Sequence, residues 1–363
     1  MPETSQPMRS NTTPSEAMTS RSISSTQSLA APRHDSPRLL ADIGGTNARF
    51  SLETGPGRTE HIEVLPCAGN RSLADALTAY LSLPHVASAG AVRHAAIAIA
   101  TPVVGDIVRM TNHHWEFSIA ELGRRMGFDT FVVVNDFSAL AMALPYLGDE
   151  GKRRIGGGEP IPDAPLGLIG AGTGLGVSGL IPGYGIDGGP ARWAALRGEG
   201  GHATFAPVDE TEVDILRFAR RQFAHVSAER LLSGAGIELI HRALSQRYGR
   251  AVEPLAAAQI TQRGLSGACA VCDEALDVFC GVMGAVAGNL ALTLGAQGGI
   301  YIGGGIVPRL GERFDRSRFR ARFEGKGRLA AYLAQIPCYV ITAAYPAFGG
   351  VAAILARQID ARS

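Results

Sequence analysis

Cysteine is scarce in this chain of 363 residues: there are five, an odd number. That count argues against a disulfide scaffold and for a reducing compartment. An excess of charge of either sign is also missing. Lys and Arg number 34 against 33 Asp and Glu, a formal net charge of +1, so neither nucleic acid nor a charged membrane surface is an expected partner. No apolar run is expected to approach the roughly 20 residues that span a bilayer. The N-terminal stretch lacks the apolar core of a secretory signal, and a cytoplasmic location is expected. No G-x-x-x-x-G-K-[ST] phosphate loop occurs. Gly183 to Gly188 satisfies G-x-G-x-x-G, but Gly189-Pro190 follows and no helix opens there, so it is not read as a dinucleotide site. What is present is 46% hydrophobic residues and 46 glycines, enough for one large or two moderate cores.

Residues 1–37 are dominated by Ser, Thr and Pro and are expected to be a disordered tail, because they cannot bury enough surface to offset their ordering entropy. Leu39–Ile43 and Ala48–Leu52 then read as two strands joined by Gly44-Gly45-Thr46-Asn47, a hairpin turn that also lets backbone approach an anion. A helix over Asn70–Leu83 and a buried strand over Ala95–Ala100 follow. Thr111–Trp115 is polar and aromatic, and Ile119–Met126 is a short helix. Leu147–Pro165, rich in Gly, Pro and charge, reads as a crossing between domains. Leu166–Ile169, the turn Gly170–Gly174 and Leu175–Leu180 repeat the strand–turn–strand pattern. That weak internal repeat suggests two related α/β domains with one turn from each facing a cleft. Helices are expected near 211–224, 235–248, 268–295 and 348–359, and strands at 300–302 and 339–341.

Phe131–Val134 is a run of β-favouring apolar residues, read as a strand buried on both faces, and a helical Ala/Leu/Met-rich segment follows it. Asn135 and Asp136 therefore fall at the carboxyl end of a strand, where open α/β sheets place their ligands. Two readings stay open: a polar pair for a hydroxylated ligand, or a helix cap, which suits both residue types. Glu199-Gly200-Gly201-His202 puts a carboxylate and an imidazole on a glycine-rich loop, and Glu229 lies on a later polar segment. With Asn135 and Asp136 these could bind a polyhydroxylated ligand through charge-assisted hydrogen bonds. Cys269 and Cys272, with Cys280 nearby, lie on the apolar stripe of the long helix and are read as core packing.

Taken in order, Asp42–Phe50, Asn135-Asp136-Phe137, Gly170–Gly176, Glu199–His202 and Gly303–Gly305 resemble the bacterial glucokinase family, in the hexokinase/actin-like ATPase superfamily. The resemblance runs from Leu39 to about Ile359. It implies a two-domain actin-like ATPase (ribonuclease H-like) α/β fold of five-stranded mixed sheets flanked by helices, with an interdomain cleft. The implied division is 38–146, completed by the C-terminal helix 346–363, and 147–345. It implies phosphorylation of glucose at the 6-hydroxyl by ATP, with Asp136 as general base and Asn135, Glu199, His202 and Glu229 holding the sugar. Asp42, Gly44, Gly45, Thr46 and Asn47 match a first phosphate turn, with Asp42 reaching Mg²⁺ through water. Gly172, Thr173 and Gly174 match a second phosphate turn, and Gly303, Gly304 and Gly305 the adenosine side. A homodimer is the implied assembly. A sugar-sensing regulator on the same fold would be expected to carry a DNA-binding appendage or lack the base, and an actin-like filament protein would not need Glu199, His202 and Glu229.

Overall fold

The computed structural model describes residues 34–111, 113–183 and 192–362. Residues 1–33 of the expected tail, Asn112, and the glycine motif beyond Gly183 lie outside them. Packing reaches back to His34, whose Nε2 sits 3.3 Å from Glu53 beside Arg38 at 3.6 Å, so the last residues expected to be tail belong to the fold.

The first hairpin is as expected: β1 (Arg38–Ile43) pairs with β2 (Asn47–Gly55), and β3 (Arg58–Pro66) extends it. Helix α1 (Leu73–Leu81) starts where the Ser72 hydroxyl accepts the Asp75 N–H at 3.1 Å, and the single turn α2 (Pro84–Ala87) follows. Strand β4 (His94–Ile99) runs parallel to β1. A separate hairpin, β5 (Ile107–Arg109) with β6 (Glu116–Ser118), carries Trp115 into the core, where its indole N–H donates to Asn70 O at 3.1 Å. Helix α3 (Ile119–Met126) is capped by Ser118. Strand β7 (Thr130–Asn135) then leads directly into α4 (Asp136–Ala143).

The sheet order β3-β2-β1-β4-β7 makes β7 an edge strand, which corrects the expectation of burial on both faces: of its apolar residues only Val133 is buried. Register aligns Ile43 with Ile99 and Ile99 with Asn135, so three parallel strands end together. That shared end is where a ligand site belongs.

The segment 147–165 is more than a crossing. It contains β8 (Lys152–Ile155), which pairs antiparallel at the edge of a second sheet. Strands β9 (Leu166–Ala171) and β10 (Leu175–Gly183) form the second hairpin, and β11 (Arg192–Ala195) joins it. Helices α5 (Glu210–Ala219), α6 (Gly234–Arg247), α7 (Ala257–Leu265) and α8 (Ala270–Leu294) precede β12 (Gly299–Gly303). The short helices α9 (Val307–Leu310), α10 (Glu312–Asp315), α11 (Phe319–Glu324) and α12 (Ala330–Ala334) lead to β13 (Cys338–Ile341) and α13 (Pro346–Asp360). The order is β11-β10-β9-β12-β13-β8, six strands where the resemblance implied five.

Helix α8 corrects a second expectation. Among the described residues it is the one helix long and apolar enough to cross a membrane, although Asp273, Glu274 and Asp277 obscure this at its start. Its apolar window is 72% buried, packed against α6, α7 and α11, so it is the core helix of this half. Helix α13 returns to the first sheet, where Phe348, Val351 and Leu355 pack with Leu40, Ala96, Ala98 and Ala139. Phe137 ties the start of α4 to the second sheet: its ring lies 2.7 Å from where a Cβ on Gly170 would stand. Any larger residue at Gly170 would push the ring away.

Candidate active site

At the end of β7 the two open readings of Asn135 and Asp136 separate. Asn135 is the helix cap: its Oδ1 accepts the N–H groups of Phe137 at 3.0 Å and Ser138 at 3.2 Å. Its amide donates to Asp136 Oδ1 at 2.9 Å and to Thr101 O at 3.4 Å. Asp136 occupies the first helical position, and its Oδ1 also accepts the Phe137 N–H at 2.8 Å. Oδ2 has no hydrogen-bond partner among the described residues. Burial, helped by the nearby Asp42 carboxylate, pushes the Asp136 carboxyl up to about 6 against the pull of the Phe137 N–H.

Asp42 sits one residue before the end of β1, opposite Arg49 on β2, with Arg49 Nη1 3.2 Å from its Oδ2. Burial raises its pKa and the Arg49 charge opposes the rise. The following turn is pinned from both sides. Gly44 N–H donates to Asn47 O at 3.0 Å, and Cys67 N–H donates to Thr46 O at 2.8 Å. Gly45 lies between these anchors, with Thr46 exposed at the tip. Two buried carboxyls, of which Asp42 raises the pKa of Asp136, beside a turn with free backbone, fit a divalent cation held through water.

In the second turn Gly172 N–H donates to Gly174 O at 2.8 Å, and the first residue of α6, Gly234, donates its N–H to Gly172 O at 3.0 Å. A cavity of about 910 Å³ opens here, lined by Gly172, Thr173, Gly234, Ala235, Gly305 and Arg309 among others. A Cβ on Gly172 or Gly305 would meet nothing within 4 Å, so both glycines face open space. Size, exposed backbone and the amino end of α6 fit a nucleotide with its phosphates. Gly303 ends β12 beside Gly170, and Gly304, at φ +81°, makes the turn that brings Gly305 to the wall. A side chain at Gly304 would also collide with the Ala171 backbone.

The segments carrying His202 and Glu229 are zipped together. Phe205 N–H donates to Val226 O and Ala228 N–H to Ala203 O, both at 2.9 Å. His202 Nε2 lies 3.9 Å from Glu229 Oε1. The other carboxylate oxygen, Oε2, accepts the Leu175 N–H at 2.9 Å, so Glu229 also anchors the strand leaving the second turn. A Cβ on Gly174 would stand 2.6 Å from that oxygen, so a larger residue there would displace the Glu229 carboxylate.

A second cavity of about 430 Å³ lies between the two sheets. Pro102, Val103 and Asn135 line it from one side, and Val177, Arg197 and Glu199 from the other. The structure thus brings Asn135 and Glu199 to one cavity and pairs His202 with Glu229. Asp136, His202 and Glu229 line neither cavity, and neither do Asp42 or the Gly44–Asn47 turn. Sequence reasoning missed the 102–105 loop and the α7 wall of the larger cavity, including Thr261 and Gln262, as well as Arg309. Thr101 carries the only readable hint. It is a buried threonine after an apolar strand, and its hydroxyl bonds Arg109 O and the Thr111 hydroxyl, both at 3.0 Å.

A family model described as Glucokinase matches residues 39–358. The chain is 57% identical over 340 residues to "Bifunctional protein glk" of Burkholderia pseudomallei (strain 1710b), covering 93% of this chain but 52% of that protein. It therefore spans about half the length of that relative. It is 56% identical over 327 residues to the glucokinase of Chromobacterium violaceum, covering 90% of this chain and 91% of that one. Its fold superposes on a crystal structure of glucokinase from an Antarctic psychrotroph with a TM-score of 0.80 at 36% identity, covering 88% and 99% of the two chains.

Proposed function

The chain belongs to the glucokinase family, and we propose that it transfers the γ-phosphoryl group of ATP to the 6-hydroxyl of glucose, giving glucose 6-phosphate and ADP. The observation that carries this reading is the Asp136 carboxylate. One oxygen is fixed by Asn135 and the Phe137 N–H, the other is free, and its pKa is about 6. Such a group is ionised at neutral pH yet basic enough to accept a hydroxyl proton as the new P–O bond forms.

Phosphoryl transfer asks for positioning and charge neutralisation more than covalent help. In this reading the N–H groups of Gly172–Gly174 and the amino end of α6 hold the phosphates, as do Gly44–Asn47 from the other sheet. Gly303–Gly305 shape the adenosine side of the larger cavity. Asp42 would hold Mg²⁺ through water, and the ion would supply further neutralisation of the phosphate charge. Asn135, Glu199, His202 and Glu229 hold the sugar hydroxyls through hydrogen bonds. Residues 38–146 with the C-terminal helix form one lobe and 147–345 the other. Closure of the two brings the Asn135/Glu199 and His202/Glu229 pairs onto one ring and excludes water as a competing acceptor. A cytoplasmic homodimer is part of the same proposal, and light scattering on the purified chain reads the assembly.

A panel of deoxyglucoses tests the sugar contacts. Removing a hydroxyl that faces Glu199, His202 or Glu229 leaves a polar group unpaired, so kcat/KM should fall by about 10-fold or more for each contacted position. Equal performance by every deoxy sugar would remove these residues from the sugar site.

A further inference from the structure

The paired cysteines on α8 have a third neighbour that core packing does not explain. One ring nitrogen of His241, on α6, and the sulfurs of Cys269 and Cys272 all lie within 4.8 Å of one another. His241 is 4% exposed, and its Nδ1 is buried without a hydrogen-bond partner. Leaving a buried polar atom unpaired is costly, so such atoms usually have a use. Cys272 is fully buried, whereas Cys269 caps α8 at the surface side, its Sγ accepting the Cys272 N–H at 3.4 Å. Cys280 and Cys338 are buried as well, but among the described residues neither belongs to such a cluster.

We propose that His241, Cys269 and Cys272 form a site for a soft divalent cation of the Zn²⁺ class, with solvent in the fourth position. Tetrahedral zinc with Zn–S near ~2.3 Å and Zn–N near ~2.0 Å sets its ligand atoms roughly 3.5–3.8 Å apart. The cluster is therefore about 1 Å from ligating distances, within reach of side-chain rotation. The C-x-x-C spacing is the one such sites use, and the residue mix suits zinc over hard cations. On binding, each thiol releases its proton to solvent and its sulfur donates an electron pair to the cation, with no oxidation or reduction.

The site lies behind the larger cavity. His241 is one helical turn beyond Ile237 and Glu238 of its wall, and Cys269 follows α7, whose Thr261, Gln262 and Leu265 complete that wall. Gly264 packs against the Cys272 carbonyl, with a Cβ placed 3.0 Å from it, so α7 and the start of α8 already touch. A bound cation would clamp α6 to this junction.

The test uses the full chain, made without a histidine tag and kept reduced. Zn²⁺ is titrated against a chromophoric chelator, Co²⁺ spectra are recorded, and thermal melting is followed with and without Zn²⁺. The expected result is about one Zn²⁺ per chain, a higher Tm with Zn²⁺, and thiolate-to-cobalt charge-transfer bands of a tetrahedral site. Cys269→Ser should retain the native circular dichroism and lose all three signals. Cys269 is partly exposed and serine still caps a helix, so this variant decides the matter even if Cys272→Ser or His241→Asn fails to fold. No stoichiometric binding by the reduced chain, binding unchanged in Cys269→Ser, or cobalt spectra without thiolate bands would each overturn the assignment.

Discussion

Asp136→Asn should lower kcat by at least about two orders of magnitude while shifting glucose affinity far less. General-base catalysis typically contributes about 10²–10⁴-fold, and the amide keeps the shape of the carboxylate but cannot take the proton. The amide can still hydrogen-bond the sugar, so binding is largely spared. The fold should also be spared, because the cap of α4 is Asn135, which accepts the Phe137 and Ser138 N–H groups. Removing the carboxylate also removes a buried charge that sits near Asp42, so a stability loss large enough to explain the lost turnover is not expected. Near-normal kcat in a folded Asp136→Asn protein would take Asp136 out of the mechanism.

Glu229→Ala should lower kcat/KM for glucose by about 100-fold. Two losses combine. A charge-assisted hydrogen bond to a sugar hydroxyl contributes about 1.5–3 kcal/mol, roughly 10- to 150-fold. The Leu175 N–H, which Glu229 Oε2 accepts at 2.9 Å, is also left without its partner, and this loosens the strand that leaves the second glycine turn. Glu229→Gln keeps an acceptor for Leu175 and so should recover stability more than activity. The two variants, compared by thermal melting and by steady-state kinetics, separate the anchor from the sugar contact. Activity of Glu229→Ala within threefold of the parent would show that the residue only braces the strand.

Much of this site was legible because its parts sit where strands end. The Gly44–Asn47 and Gly172–Gly174 turns each follow a short apolar strand, and Asn135-Asp136 closes another. Local pattern was enough to place them. What it could not reveal was division of labour between neighbours: cap and candidate base are adjacent, and only the hydrogen bonds of Asn135 tell them apart. The link between His202 and Glu229 depends on backbone pairing between distant segments, which leaves no periodic signal. Strand β8 was hidden because it is a four-residue edge carrying Lys152, Arg153 and Arg154, a composition that reads as loop. The α7 wall went unread for a similar reason, since AAQITQRGL has only Ile260 and Gly264 buried. The edge position of β7 was invisible too, because an apolar run does not say how many neighbours its strand has.

The most direct test of the account is the pH dependence of glucose 6-phosphate formation by the purified chain with ATP, Mg²⁺ and glucose. Asp136 must be ionised to accept the hydroxyl proton, and its pKa is raised to about 6 rather than lowered. The rate should therefore be lost as pH falls through about 6 and approach a plateau above it. The expected result is glucose-dependent product with an ascending limb centred near pH 6, and loss of turnover in Asp136→Asn across the range. ATP consumption without a phosphorylated sugar, or a rate that does not change between pH 5 and pH 8, would contradict it.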